Sequence, residues 1–239
     1  MILGNLCTRW CGFCSVPKGN PDGRDFGLDP AEPANVARMA ARMKLSYVVI
    51  TSVNRDDLAD GGSLHFARTV HEVRRAVPGA RVEVLTPDFQ GDRAAVARVL
   101  DAGPDVFNHN METVRRLYRT VRPQGNYDRS LDVISFAKSY RPDILTKSGL
   151  MVGLGETAVE VTGLLHDLRE RGAADVVTIG QYLQPSARNL PVVSYVTPAD
   201  FEEYRRHGLS LGFRMVFSGP FVRSSYMADK VSEEAALAS

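Results

Sequence analysis

Cysteine is nearly missing from this chain: in 239 residues it occurs only as Cys7, Cys11 and Cys14. An odd number packed into one short run excludes a disulfide framework of the kind that staples small secreted domains. Long apolar runs are missing too. No stretch approaches the roughly 18 residues that a membrane-spanning helix needs. Met1-Ile-Leu-Gly4 is far too short for the core of a signal peptide. Reduced thiols without an export signal point to the cytoplasm, and no membrane partner is expected. Neither sign of charge is in excess, since 29 Lys and Arg face 28 Asp and Glu for a net charge of +1. Bulk electrostatics therefore gives no grip on nucleic acid. Short repeats and low-complexity tracts are absent. What remains is an ordinary globular balance, 44% hydrophobic and 24% charged, in a chain long enough for one large domain.

The cysteines read Cys7-Thr-Arg-Trp-Cys11-Gly-Phe-Cys14, a C-x3-C-x2-C spacing. Three thiolates on a short loop can hold three irons of a cubane and leave the fourth iron open to a small molecule. That opening makes a cluster a catalyst rather than an electron wire. Zinc competes, but a closed structural zinc site takes four protein ligands. The fourth would have to be one of His65, His71, His109, His166 and His207, or a carboxylate, none of them near Cys14 in sequence. Structural or redox thiols are the third reading. The spacing resembles that of the radical S-adenosylmethionine (SAM) enzymes. The resemblance implies a [4Fe–4S] cluster on Cys7, Cys11 and Cys14, as metal ligands and catalytic residues, whose open iron chelates the amino and carboxylate groups of SAM. The reduced cluster then cleaves the C–S bond to give a 5′-deoxyadenosyl radical.

The rest of the chain alternates between two periods. Short runs rich in Val and Ile predict strands at Met1–Asn5, Tyr47–Ser52, Arg81–Leu85, Val106–Asn110, Thr146–Val152, Val176–Gly180 and Arg214–Ser218. Helices are expected at Pro33–Met43, Ser63–Val77, Asp92–Ala102, Thr113–Tyr118, Ser130–Tyr140, Ala158–Arg171 and Pro198–Leu211. Asp29-Pro30 and Thr197-Pro198 read as helix starts, and Gly103, Gly172 and Gly212 as helix ends. Such alternation implies parallel strands with chemistry at their C-terminal ends. Polar clusters follow six successive predicted strands: the cysteines, Thr51–Asp57, Thr86–Asp88, Asn108–Glu112, Gly153–Thr157 and Gln181–Pro185. An incomplete (βα)6 TIM-type barrel is the most economical α/β fold, with residues 1–220 in the barrel and 221–239 as a C-terminal extension. A flat doubly wound sheet is the runner-up.

Several segments carry two readings each. Asn108-His109-Asn110 either forms a satisfied polar network in the core or holds SAM or substrate, with Glu112 near the same mouth. Lys147, on an apolar strand, must pair with an anion, either a SAM carboxylate or Glu112. Gly153-Leu-Gly155-Glu156 lacks the third glycine of a dinucleotide fingerprint and reads as a tight turn letting backbone approach adenine or ribose. Asp56, Asp57 and Asp60 could suggest a metal, but Arg55 and Gly61-Gly62 fit a paired loop and a turn better. Thr51 ends its strand at the mouth. From composition alone Arg223-Ser-Ser-Tyr226 is a surface tail.

Together these segments resemble the lipoyl synthase family. The resemblance runs through the cysteine motif, Val49–Leu58, Asp60-Gly-Gly62, Val106–Asn110, Glu112-Thr113, Tyr118 with Val121-Arg-Pro123, Thr146–Glu156, Gly180–Pro185, and Gly219-Pro220 with Arg223–Tyr226. It implies radical SAM insertion of sulfur at C6 and C8 of an octanoyl chain. That chain would be carried on a lysine of a lipoyl carrier domain, from the glycine cleavage H protein or a 2-oxoacid dehydrogenase E2 subunit. An electron donor such as ferredoxin or flavodoxin is implied as well. SAM contacts are expected at Thr51, Asn108, Asn110, Glu112 and Lys147. The family uses a second, auxiliary cluster on a C-x4-C-x5-C motif ahead of the barrel, plus a serine of the Arg-Ser-Ser-Tyr segment. Ser225 is expected to be that serine, in preference to Ser224. No cysteine precedes Cys7 here. The 239 residues are therefore expected to be an incomplete chain that cleaves SAM without completing sulfur insertion, a second polypeptide with the auxiliary cluster being the alternative.

Overall fold

Valine and isoleucine at every second position decide the sheet. Val48 and Ile50, Val82 and Val84, Leu150 and Val152, and Val177 and Ile179 are all buried on its outer face under helices. A computed structural model describes residues 1–19 and 27–230. Six strands follow one another in order: β1 (Tyr47–Thr51), β2 (Arg81–Leu85), β3 (Val106–Asn108), β4 (Leu145–Val152), β5 (Val176–Gln181) and β6 (Met215–Gly219). Every neighbouring pair is parallel. Sequential parallel order with helical crossovers is the partial-barrel layout rather than the doubly wound one, and the sheet stays open between β1 and β6.

Among the described residues seven α-helices flank the strands: α1 (Glu32–Arg42), α2 (Ser63–Ala76), α3 (Arg93–Asp101), α4 (Tyr118–Val121), α5 (Tyr127–Tyr140), α6 (Ala158–Glu170) and α7 (Pro198–Ser210). They close two apolar cores. Phe66, Val70 and Val73 of α2 pack over β1 and β2, while Leu131, Leu165 and Phe201 pack over β4 and β5. Each fully buried side chain of this size stabilises the fold by about 1.5–3 kcal/mol. Thr197 starts α7 as expected, with a capping box to Asp200, and Thr157 does the same for α6 with Glu160.

Four expectations need correction. Met1–Asn5 is not a strand: Ile2 alone makes an isolated parallel bridge to Ser52, and Leu3 and Gly4 take positive φ, which breaks the ladder. Asp29-Pro30 does not start α1. Asp29 accepts from the Ala31 N–H at 2.8 Å, and the helix begins at Glu32 with proline in its first turn. Thr113–Tyr118 is a 3-10 turn at Arg115–Leu117 running into α4. Gly103 and Gly212 take the left-handed conformation after their helices, but after α6 it is Ala173 that does so.

The inner face of the sheet is layered. Val106, Leu145, Val176 and Met215 form an apolar plug toward the N-terminal ends of the strands. Above it lies a polar layer. Lys147 donates to both oxygens of Glu83 at 3.0 and 3.1 Å, Asn108 Nδ2 donates to Glu83 Oε1 at 3.1 Å, and the Tyr47 hydroxyl donates to Glu83 Oε2 at 2.8 Å. Lys147 and Glu83 are both fully buried, so each charge is stable only because the other is present.

Candidate active site at the C-terminal mouth

The loop carrying the cysteines is held over the C-terminal ends of the strands from several sides. Thr8 N donates to Asn54 O at 3.1 Å, and Gly12 N to Val121 O at 2.9 Å. Trp10 N donates to Gln124 Oε1 at 2.8 Å, and Asn189 Nδ2 donates to the carbonyls of Gly12 and Cys14 at 3.2 and 3.1 Å. Arg9, between the first two cysteines and almost fully buried, reaches Asp56 at 2.6 and 2.8 Å and Asp88 at 2.5 Å, while Arg129 takes the other Asp88 oxygen at 2.8 Å. Burial alone would raise the Asp88 carboxyl, but the two guanidiniums hold it well below the usual carboxylate range. Charge-assisted bonds of this kind fix a loop more firmly than neutral ones.

The sulfur environment fits a cluster. The Asn54 amide N–H points at Cys7 Sγ at 3.4 Å and its side-chain Nδ2 lies 3.9 Å away, while the Val16 N–H points at Cys14 Sγ at 3.4 Å. Burial pushes the Cys11 thiol up to about 11; Arg122 pulls it down, and the neighbouring Cys7 and Cys14 add to the rise. The three sulfurs thus share one electrostatic neighbourhood. Among the described residues no three His, Cys, Asp or Glu side chains converge on a single metal ion. Thiolates that each take a different iron of a cubane need wider spacing than ligands of one zinc.

Beneath the loop the mouth opens into a cavity of about 250 Å³ lined by Asn110, Glu112, Gly149, Met151, Thr178 and Gly180, and closed on one side by Val222, Arg223 and Ser224. Gly149 leaves room for Thr178 and Asn110, since a Cβ there would lie 2.6 Å from Thr178 Oγ1 and 2.9 Å from Asn110 Oδ1. Asn110 Nδ2 donates to Glu112 Oε1 at 3.1 Å, which turns the Asn110 carbonyl oxygen away without a partner. Burial raises the Glu112 carboxyl, with Arg122 and Asn110 opposing the rise. Ser52 Oγ, Asn54 Oδ1, Thr86 Oγ1 and Asn108 Oδ1 are also buried without partners. Each such atom costs about 1–3 kcal/mol unless a partner satisfies it; of these residues, Asn110 is the one that lines the cavity.

The sequence-expected residues divide accordingly. Cys7, Cys11 and Cys14 share the loop; Asn110 and Glu112 line the cavity. Thr51 ends β1, its carbonyl taking the Ile2 N–H at 2.8 Å. Lys147 pairs with neither Glu112 nor a mouth-facing group but with Glu83, one layer below, and Asn108 belongs to the same layer. His109 is a satisfied core side chain, Nδ1 on Thr86 O at 2.9 Å and Nε2 on Ser130 Oγ at 3.1 Å; burial lowers it to about 4. The N–H groups of the Gly153 turn are taken by Glu156, and a Cβ on Gly153 would meet Gln181 and Ser194, so the close approach is internal rather than to adenine. Asp56 and Asp57 pair with Arg9 and Arg55, and Asp60 caps α2 through Gly62 and Leu64. Ser224 lines the cavity, whereas Ser225, the expected serine, is exposed. Residues 231–239 of the expected extension lie outside the described residues. Sequence reasoning passed over Asn54, Arg9 and Gln124 as clamps because nothing in their local pattern marks their partners.

A second cleft, about 650 Å³, lies on the cluster loop itself. Cys11 and Cys14 line it together with Trp10, Lys18, Arg188 and Asn189. Trp10 is 63% exposed. The Gln181 side chain brings residues 190–196 back to this side of the mouth, donating to Ser194 O at 3.0 Å and accepting from Val196 N at 2.9 Å.

Residues 1–168 match the family model described as the radical SAM superfamily. The lipoyl synthase of Rubrobacter xylanophilus is 55% identical over 235 residues, covering 98% of this chain and 72% of its own length. That of Thermus thermophilus is 55% identical over 236 residues, with the same coverage of 98% and 72%. Among solved structures, methylornithine synthase superposes with a TM-score of 0.69 at 17% identity, over 90% of this chain and 62% of the other; at that identity the likeness concerns the fold.

Proposed function

With the chain belonging to the lipoyl synthase family of the radical SAM superfamily, we propose a division of labour among the residues of its mouth. The protein is a radical SAM sulfurtransferase that inserts sulfur in forming the lipoyl cofactor, with a [4Fe–4S] cluster and SAM as cofactors and lipoyl carrier proteins as substrates. A cluster held by Cys7, Cys11 and Cys14 would supply the electron for reductive cleavage of SAM, the chemistry that gives a radical able to take hydrogen from unactivated carbon.

Cys7, Cys11 and Cys14 hold the cluster, and Asn54 and the Val16 amide donate hydrogen bonds to two of the sulfurs. Such N–H···S contacts withdraw charge and tune a cluster's potential. Asn110 and Glu112 bind the polar end of SAM. The single observation that carries this is the partnerless Asn110 carbonyl oxygen in a cavity whose Glu112 carboxyl acts electrostatically on Cys11 of the cysteine loop. Met151, Leu85 and Val222 give the cavity apolar walls that suit an octanoyl chain and exclude water from the reacting carbon. The Val222–Ser224 segment closes one side, and this segment offers a serine to a sulfur-donating group, with Ser224 lining the cavity and the expected Ser225 exposed beside it. The carrier lysine belongs to a glycine cleavage H protein or a 2-oxoacid dehydrogenase E2 domain. An acidic electron carrier, ferredoxin or flavodoxin, suits the cleft at Cys11 and Cys14, whose lining includes Lys18 and Arg188 and no carboxylate among the described residues.

SAM binding tests the division directly. Asn110→Ala and Glu112→Gln should weaken SAM affinity at least tenfold by equilibrium dialysis, while Lys147→Met, one layer down, should leave it within about twofold in protein that remains folded. Equal losses in all three variants would remove the distinction between lining and floor.

A further inference from the structure

A buried cation sits between the cluster loop and the cavity. Arg122 is 6% exposed, yet among the described residues it makes no salt bridge. Its Nη1 donates to Asn110 O at 2.8 Å, Met111 O at 3.4 Å and the Tyr118 hydroxyl oxygen at 3.2 Å. The guanidinium carbon lies 5.5 Å from the centre of the Tyr118 ring. These contacts pin the two residues before Glu112, whose own backbone is held at φ 68°. On the other side, Val121 O takes the Gly12 N–H at 2.9 Å, so the segment bearing Arg122 is bonded to the loop between Cys11 and Cys14. Burial opposes the charge on Arg122, and the negative groups that favour it include Glu112 and Cys11. A buried guanidinium without an ion-pair partner is costly. A cubane on three thiolates is anionic, and reduction adds one more negative charge.

We propose that Arg122 is a positioning residue for the radical site, holding the Asn110–Glu112 corner in shape against the cluster loop and placing a fixed positive charge that favours the reduced cluster. This rests on the radical SAM reading of the three cysteines. The corner is aimed by hydrogen bonds from one terminal nitrogen, Nη1, at the end of a side chain one bond longer than lysine, a position that a lysine ammonium at 122 falls short of. The charge acts through a low-dielectric wall, where one unit has long reach.

The test compares Arg122→Gln and Arg122→Lys in the anaerobically reconstituted chain, with iron content and thermal melting as folding controls. R122Q should shift the one-electron reduction equilibrium at least tenfold against the reduced cluster, 59 mV to the negative, and should weaken SAM binding about tenfold. R122K keeps the charge and, one bond shorter, loses the reach of Nη1 to the Asn110 and Met111 carbonyls, so its potential should stay near wild type while its SAM affinity falls. Without any cluster, amide hydrogen exchange at Glu112, whose N–H bonds Gly149 O at 2.9 Å, should quicken in both variants. R122Q with wild-type potential, or R122K with a potential as low as that of R122Q, overturns the electrostatic role. Unchanged Glu112 exchange overturns the positioning role. A wild-type chain that takes up no cluster sinks the radical SAM reading instead, and leaves the exchange result standing.

Discussion

Lys147 shows how much one buried charge depends on its partner. Its ammonium and the Glu83 carboxylate are sealed from solvent, so removing one strands the other. Lys147→Ala should cost about 3–5 kcal/mol, and a Glu83→Gln, Lys147→Met double variant should recover most of it; denaturant unfolding of the three proteins gives the coupling directly. His109 makes a second prediction, with a defined sign. Its folded value of about 4 lies below the ordinary 6.5 because burial disfavours the imidazolium. The neutral side chain therefore supports the fold fully above pH 6.5, and that support drains away as the pH falls toward about 4. The slope belongs to the unfolded state, which binds the extra proton. The total is on the order of 3 kcal/mol, and His109→Gln should flatten this part of the stability–pH curve. A curve equally steep in the variant would place the titrating group elsewhere.

At the scale of elements, the alternation of buried Val and Ile made the order of strands and helices legible, because both faces of a parallel sheet are covered. The layered interior was not legible. Glu83, Asn108, Lys147 and Tyr47 come from four strands and meet only after the sheet forms, so the sequence could show that Lys147 needs an anion but not which one. The segment at residues 1–5 was misread because apolar composition resembles a strand, whereas Leu3 and Gly4 need positive φ that a ladder forbids. The cysteine run, by contrast, announces itself through local spacing alone. Its clamps, Asn54, Gln124 and Asn189, are scattered along the chain and become visible only in three dimensions. One contact between elements invites a direct test. A Cβ on Gly180 of β5 would overlap the Val222 carbonyl oxygen. Gly180→Ala should therefore lift the Val222–Ser224 segment off the mouth, at a cost of about 1–3 kcal/mol, and speed tryptic cleavage at Arg223. Cleavage at the wild-type rate would mean that the segment is not held by this contact.

At the scale of the whole molecule, residues 1–239 contain three cysteines, which suits one cubane of about four irons per chain. These residues alone should convert no octanoylated carrier to its lipoylated form, because one cluster cannot both bind SAM and surrender its sulfur. Supplying a segment with the C-x4-C-x5-C motif should restore conversion, read as a gain of two sulfurs on the carrier lysine by mass spectrometry. The proposed SAM site joins the cysteine loop to the cavity lined by Asn110 and Glu112. Its most direct test is to reduce the anaerobically reconstituted chain with dithionite, add SAM, and quantify 5′-deoxyadenosine and methionine by chromatography. Equal release of the two, abolished in Cys11→Ala, is the expected result. A chain that carries its four irons and still leaves SAM intact would contradict it.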